Sequence, residues 1–173
     1  MRVKTMLLSV LAIMLLAACG SDDAKETETP KDIKEIVHNY SVGTFENETA
    51  SITSTELIVT DENNKEQKHP LPEDEFFVSI APFIEQTHPC DIHSLTGCQG
   101  EMIEEDFDVY IEDEDGKVVV DEKMTSHKNG FIDLWLPRDH TYQVTITYGD
   151  KRVESELQTF EDNGTCITTF QLL

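Results

Sequence analysis

"DFDVYIEDEDGKVVVDEKM", Asp106 to Met124, decides the fold class. Phe107, Val109 and Ile111 alternate with polar residues, which places them on one face of a strand. Asp115-Gly116 supplies a tight turn, and Val118 and Val120 resume the pattern on the way back. The same stretch resembles a calcium loop, with acids at 113 and 115, Gly116 sixth and Glu122 twelfth. A calcium loop, however, needs a carboxylate at its first position, where Ile111 stands, and helices rather than alternating apolar flanks. The stretch therefore predicts a β-hairpin.

The pattern continues downstream. "NGFIDLWLPRD" turns at Asn129-Gly130 and sets Ile132, Leu134 and Leu136 on one side of a strand. "TYQVTITYGDKRVESEL" aligns Tyr142, Val144, Ile146 and Tyr148, then turns at Gly149-Asp150. "TCITTFQLL" closes the chain with Cys166, Phe170 and Leu172 on one side. Short strands at regular spacing predict a small β-sandwich. Upstream, Ile33, Ile36, Val37 and Tyr40 follow the i, i+3, i+4, i+7 spacing of a short helix that Asp32 can cap. "ASITSTELIVT", Ala50 to Thr60, reads as one strand; a turn at Asp61 to Lys65 and a return to Leu71 complete a hairpin. "EFFVSIAPFIEQ", Glu75 to Gln86, is an apolar run of ambiguous structure, strand first with a helical turn open after Pro82. The expected fold is α+β, with a small N-terminal helix-and-hairpin region (32–86) packed against a C-terminal β-sandwich that includes a cysteine loop (87–173). No internal repeat and no membrane-spanning helix is evident after the first segment.

That first segment is a targeting signal. Arg2 and Lys4 precede the apolar run Met6 to Ala18, which at 13 residues is too short to span a bilayer. "LAAC", Leu16 to Cys19, followed by a polar stretch, has the form of a bacterial lipoprotein signal. Residues 1–18 are then the signal peptide, Cys19 the lipidated residue, and 19–31 a flexible tether. Cleavage leaves 155 residues and moves the formal charge from −22 to −24, because Arg2 and Lys4 are lost. Such a chain will not bind nucleic acid through phosphate contacts, and repulsion keeps its body off anionic lipid. The lipid is its only membrane attachment, on an extracytoplasmic face.

Four cysteines are present, and Cys19 is spent on the lipid. Cys90, Cys98 and Cys166 remain, an odd number that a framework of paired bridges does not use up. Cys90 and Cys98 are too far apart for a C-x-x-C motif. The loop between them carries His93, and His88 lies two residues before Cys90. Folded back, it could bring both sulfurs and an imidazole onto one ion; Cys166 could complete the set if the last strand runs beside it. Soft thiolates favour Cu(I), while a Cys3His tetrahedron also suits zinc. Two thiols closing to a disulfide release two electrons, so thiol-dependent reduction of Cu(II) lies within the chemistry. Three roles stay open on the residues alone. They are copper capture, a structural or adhesion-type sandwich stapled by a Cys90–Cys98 disulfide, and thiol oxidoreduction, which lacks both a C-x-x-C and a thioredoxin-like strand order.

"HPCDIHSLTGCQGE", "NGFIDLWLPRD" and "TCITT" together resemble the CueP-like family of extracytoplasmic copper-binding proteins, over about Asp32 to Leu173. The resemblance implies that Cys90, Cys98 and Cys166 bind copper with one histidine, His93 first and His88 second. It also implies copper tolerance, a role in reducing copper or handing it to an extracytoplasmic acceptor protein, and is compatible with a homodimer. Members of the family are typically soluble in the periplasm, so the lipoprotein signal of this chain is a departure.

Overall fold

The computed structural model describes residues 29–173. The signal segment, Cys19 and nearly all of the expected tether lie outside the described residues. Helix α1 (Pro30–Val42) is followed by strands β1 (Glu48–Ile52), β2 (Glu56–Asp61), β3 (Glu66–Pro70), β4 (Glu75–Ile80), β5 (His93–Ser94) and β6 (Asp106–Asp113). Then come β7 (Val118–Thr125), β8 (Ile132–Pro137), β9 (Thr141–Tyr148), β10 (Lys151–Gln158) and β11 (Cys166–Ile167). Among the described residues no helix is long and apolar enough to cross a membrane.

The helix starts earlier than expected. Thr29 is the N-cap and Asp32 occupies the third helical position. The Thr29 hydroxyl accepts from Asp32 N (3.4 Å), while Asp32 Oδ2 accepts from Thr29 N (3.0 Å), a reciprocal capping box. Pro30, with its φ already helical, favours this start. Ile33 and Val37 are buried, as the periodicity requires.

The strands form three sheets, in the orders β3-β2-β1-β5, β11-β4-β8 and β10-β9-β6-β7. The architecture is thus α+β with one short helix and mostly strands. The expected single strand from Ala50 to Thr60 is two strands paired antiparallel, Ala50 opposite Val59 and Ile52 opposite Leu57. Thr53 makes the break: its hydroxyl accepts from the backbone N–H groups of Thr55 and Glu56, at 3.3 and 3.0 Å, competing with continued extension. The Asp106–Met124 hairpin forms as expected, with Gly116 at φ 77° in its turn.

The middle sheet explains the ambiguous apolar run. β4 pairs antiparallel with β8 and parallel with β11. Its Phe76, Val78 and Ile80 join Phe107, Val109, Ile111, Val144 and Ile146 in one apolar cluster. Phe77, facing the other way, joins Ile33, Val37, Ala50, Ile52 and Leu57 in a second. A strand buried on both faces has no polar alternation to show. No helical turn follows Pro82, because the backbone of Phe83 is engaged by the C-terminal segment: Phe83 N donates to Phe170 O at 3.1 Å and Leu172 N to Phe83 O at 2.8 Å.

Candidate metal centre

The loop between β4 and β6 carries Cys90, His93 and Cys98, and β11 carries Cys166. Three hydrogen bonds sew them together. Thr87 Oγ1 donates to Thr168 O (2.9 Å), Cys166 N to Asp91 O (3.0 Å), and His93 N to Thr165 Oγ1 (3.0 Å). Thr165 in turn donates to Ile52 O at 2.6 Å, fixing β11 to β1. Parallel pairing of Cys166 with Ser79 sets the sulfur's position along the sheet. A Cβ on Gly164 would meet Asp91 backbone at 2.8 Å, so only glycine permits this approach. Cys98 sits in a tight turn, with its N–H donating to Ser94 O at 2.9 Å.

The result is a cluster of His88, Cys90, Cys98 and Cys166 whose ligand atoms all lie within 4.8 Å of one another. Cys90 and Cys166 are joined by a disulfide, and Cys98 is free with its sulfur 3.6 Å from that of Cys90. The pairing differs from the Cys90–Cys98 staple weighed on the sequence. The hydrogen bond from Cys166 to Asp91 brings β11 against the residue next to Cys90, whereas Cys98 lies in the next turn of the same loop. The cluster rests on Ala81 and Phe131, and Cys166 is buried while the other three members are half-exposed. A cleft of about 440 Å³ lined by His88, Thr87, Gln99, Gly100 and Glu101 opens beside it.

His93 is placed differently. It is fully buried, its ring lies 4.5 Å from that of Phe131, and neither ring nitrogen has a hydrogen-bond partner. Burial pushes its pKa down to about 4; Asp133 opposes the shift and His88 adds to it. His88 packs its ring against Phe131 as well, at 6.4 Å. His38 is exposed and His69, His127 and His140 are half-exposed.

Sequence reasoning missed Thr165, Phe131 and Glu101. Glu101 Oε2 accepts from the backbone N–H groups of Ile84 (2.7 Å), Glu85 (3.0 Å) and Gln86 (3.2 Å). Desolvation works against its ionisation, but these bonds hold its carboxyl below the usual range. The clamp ties the segment leading into His88 to the segment leaving Cys98. No pattern of spacing announces it, since a single glutamate has no period.

In reduced form, three thiolates and an imidazole make a soft-donor set; in the disulfide form only Cys98 and His88 remain as donors. Fold and site define a β-rich protein with a cysteine–histidine cluster that could hold a metal ion. A family model described as "Periplasmic copper-binding protein CueP" matches residues 33–171, and the chain belongs to the CueP family. It is also similar to a solved structure titled "Crystal Structure of S.CueP", at 37% identity and a TM-score of 0.77, over 87% of this chain and 91% of that one. No curated protein matches the chain.

Proposed function

We propose that this chain is an extracytoplasmic copper-binding protein that captures copper, reduces Cu(II), and holds Cu(I) for transfer or detoxification. The observation that carries the reading is the gathering of Cys90, Cys98, Cys166 and His88 around one point. Family membership supports the choice of metal. Soft thiolates favour Cu(I), with zinc the alternative cargo. The ligands are the three cysteines with His88; His93 is buried with its ring against Phe131. Residues 1–18 are removed as signal, Cys19 carries lipid, 19–31 is the tether, and regions 32–86 and 87–173 share the body. Copper passes to an acceptor protein on the same side of the membrane, and a homodimer is compatible with this role.

The disulfide gives the redox step its balance. Two thiols, Cys90 and Cys166, form one S–S bond and release two protons and two electrons, which reduce two Cu(II) ions to Cu(I). The closed form loses two of three thiolates, so capture and reduction alternate with a re-reduction of the bridge by an external thiol. Anaerobic titration of reduced and of oxidised protein with Cu(I), against a Cu(I) chelator and in parallel with Zn²⁺ against a zinc chelator, tests the reading. The expected result is tight Cu(I) binding by the reduced form alone. Equal weak binding by both forms favours a purely structural Cys90–Cys166 staple, and tight zinc with weak copper favours a structural Cys3His site.

A further inference from the structure

Asp133 on β8 has a side chain only 10% exposed. Its Oδ1 accepts from Ser79 Oγ at 2.5 Å, but its buried Oδ2 has no hydrogen-bond partner. A carboxylate oxygen out of water with no hydrogen bond is costly. His93, the buried histidine that feels its charge, offers it no hydrogen bond. Oδ2 faces instead Nε2 of His127 at 3.7 Å, too long for a hydrogen bond. Two donors each about 2.0–2.2 Å from a shared ion lie at most about 4 Å apart, so this gap admits one.

A third donor stands alongside. The ring of His38, on the last turns of α1, meets that of His127 edge-on with centroids 5.7 Å apart. The backbone holds this pair in place. His127 N donates to Phe131 O and Gly130 N to His127 O, both at 2.8 Å, so the His127 ring projects from a fixed turn. Asn129 Nδ2 donates to Ser41 O at 3.5 Å, tying that turn to the helix three residues beyond His38. His38 is exposed, so its ring is not packed into the core.

We propose that His38, His127 and Asp133 form a second metal site, separate from the cysteines and fitted to Cu(II). Two imidazoles and a carboxylate are harder donors than thiolate, and among divalent first-row ions such a set binds Cu(II) most tightly. Water completes the coordination on the exposed side. The choice of metal rests on the copper reading above; the geometry does not. Phe131, in the same turn, packs against His88 of the thiolate cluster, so the two sites share one piece of backbone. The histidine site holds Cu(II) without changing its oxidation state, and reduction belongs to the thiols.

The test uses the full mature protein with the Cys90–Cys166 bridge closed and Cys98 alkylated, which silences the sulfur site. Cu(II) is titrated against glycine and read by electron paramagnetic resonance. One equivalent with nitrogen superhyperfine splitting is expected, weakened roughly tenfold or more in His127→Gln and in His38→Gln. His38→Gln changes an exposed helical residue, so it keeps the test decisive even where His127→Gln melts early. Retention of no Cu(II) against glycine, or an identical signal and affinity in both variants, overturns the proposal. Cu(I) affinity of the reduced protein, measured in the same variants, is expected to be unchanged. A wild type that fails to bind Cu(I) while keeping the nitrogen-ligated Cu(II) refutes the thiolate reading and supports this one.

Discussion

Replacing Cys166 by serine removes a sulfur of the cluster and the covalent bridge to Cys90 together. The two effects separate by redox condition. The bridge joins residues 76 apart in sequence. Chain-entropy loss in the unfolded state for a loop of that length amounts to about 4.5 kcal/mol at 25 °C. Cys166 is also buried beside Ala81 and Phe131, at 4% exposure, and a hydroxyl there costs about 1–2 kcal/mol if it finds no partner. In air, Cys166→Ser should therefore be less stable than wild type by about 5.5–6.5 kcal/mol. With the bridge reduced in both proteins, the gap should shrink to about 1–2 kcal/mol. Urea denaturation with and without reductant measures both. The reduced, folded mutant should also lose Cu(I) affinity by at least about 100-fold, the upper end of what a change outside the ligand shell costs. An equal stability gap under both conditions would refute the cross-link's contribution. Unchanged Cu(I) affinity would remove Cys166 from the ligand set.

Three further outcomes are expected. Gly130 sits at φ 78°, and a Cβ there would meet Gly100 backbone at 2.8–2.9 Å; Gly116, at φ 77°, faces open space. Gly116→Ala should cost about 1–2 kcal/mol from backbone strain, and Gly130→Ala roughly 1–3 kcal/mol more, with lower Cu(I) affinity because Gly100 lies two residues from Cys98; equal urea midpoints for the two would sink the close-contact argument. His93 has a folded pKa of about 4 against 6.5 in the unfolded chain, so the unfolded state binds the proton first as pH falls. Stability from neutral His93 is complete above about pH 6.5 and is lost toward pH 4; between pH 7 and 4.5 wild type should lose about 2–3 kcal/mol that His93→Phe does not, and parallel losses in urea titrations at both pH values would contradict it. Cys19→Ala should release the protein from the membrane fraction or stall its processing, and a mutant still cleaved and membrane-bound would rule out the lipid anchor.

Much of the β framework was legible because alternation records burial on one face. Phe107, Val109 and Ile111, or Tyr142, Val144 and Ile146, show period two because their sheet has one apolar side. At β4 both faces are covered and the record is a plain apolar run: the strand was readable, but a helical turn after Pro82 stayed open until Phe83 was seen paired with the C-terminal segment. The break at Thr53 left no such record, because a side-chain hydrogen bond rather than a change of hydrophobicity ends the strand there. At the helix start the spacing pointed to Asp32 as the cap, but Thr29 caps the helix and Asp32 completes a capping box from the third position.

The sequence by itself determined the chemistry on offer: three cysteines beyond Cys19, histidines at 88 and 93, and a strongly acidic composition. Residue types carry donor softness and charge wherever they stand. Only the tertiary structure decided which of them meet. Cys166 reaches the loop because β11 runs parallel to β4 and Thr165 anchors it to β1; the same packing bonds Cys90 to Cys166 rather than to its neighbour Cys98. His88 and His93 look alike in sequence, yet the loop turns one toward the sulfurs and buries the other against Phe131. Contact between residues far apart in the chain depends on sheet register and on which face a side chain takes, and neither is written in local spacing.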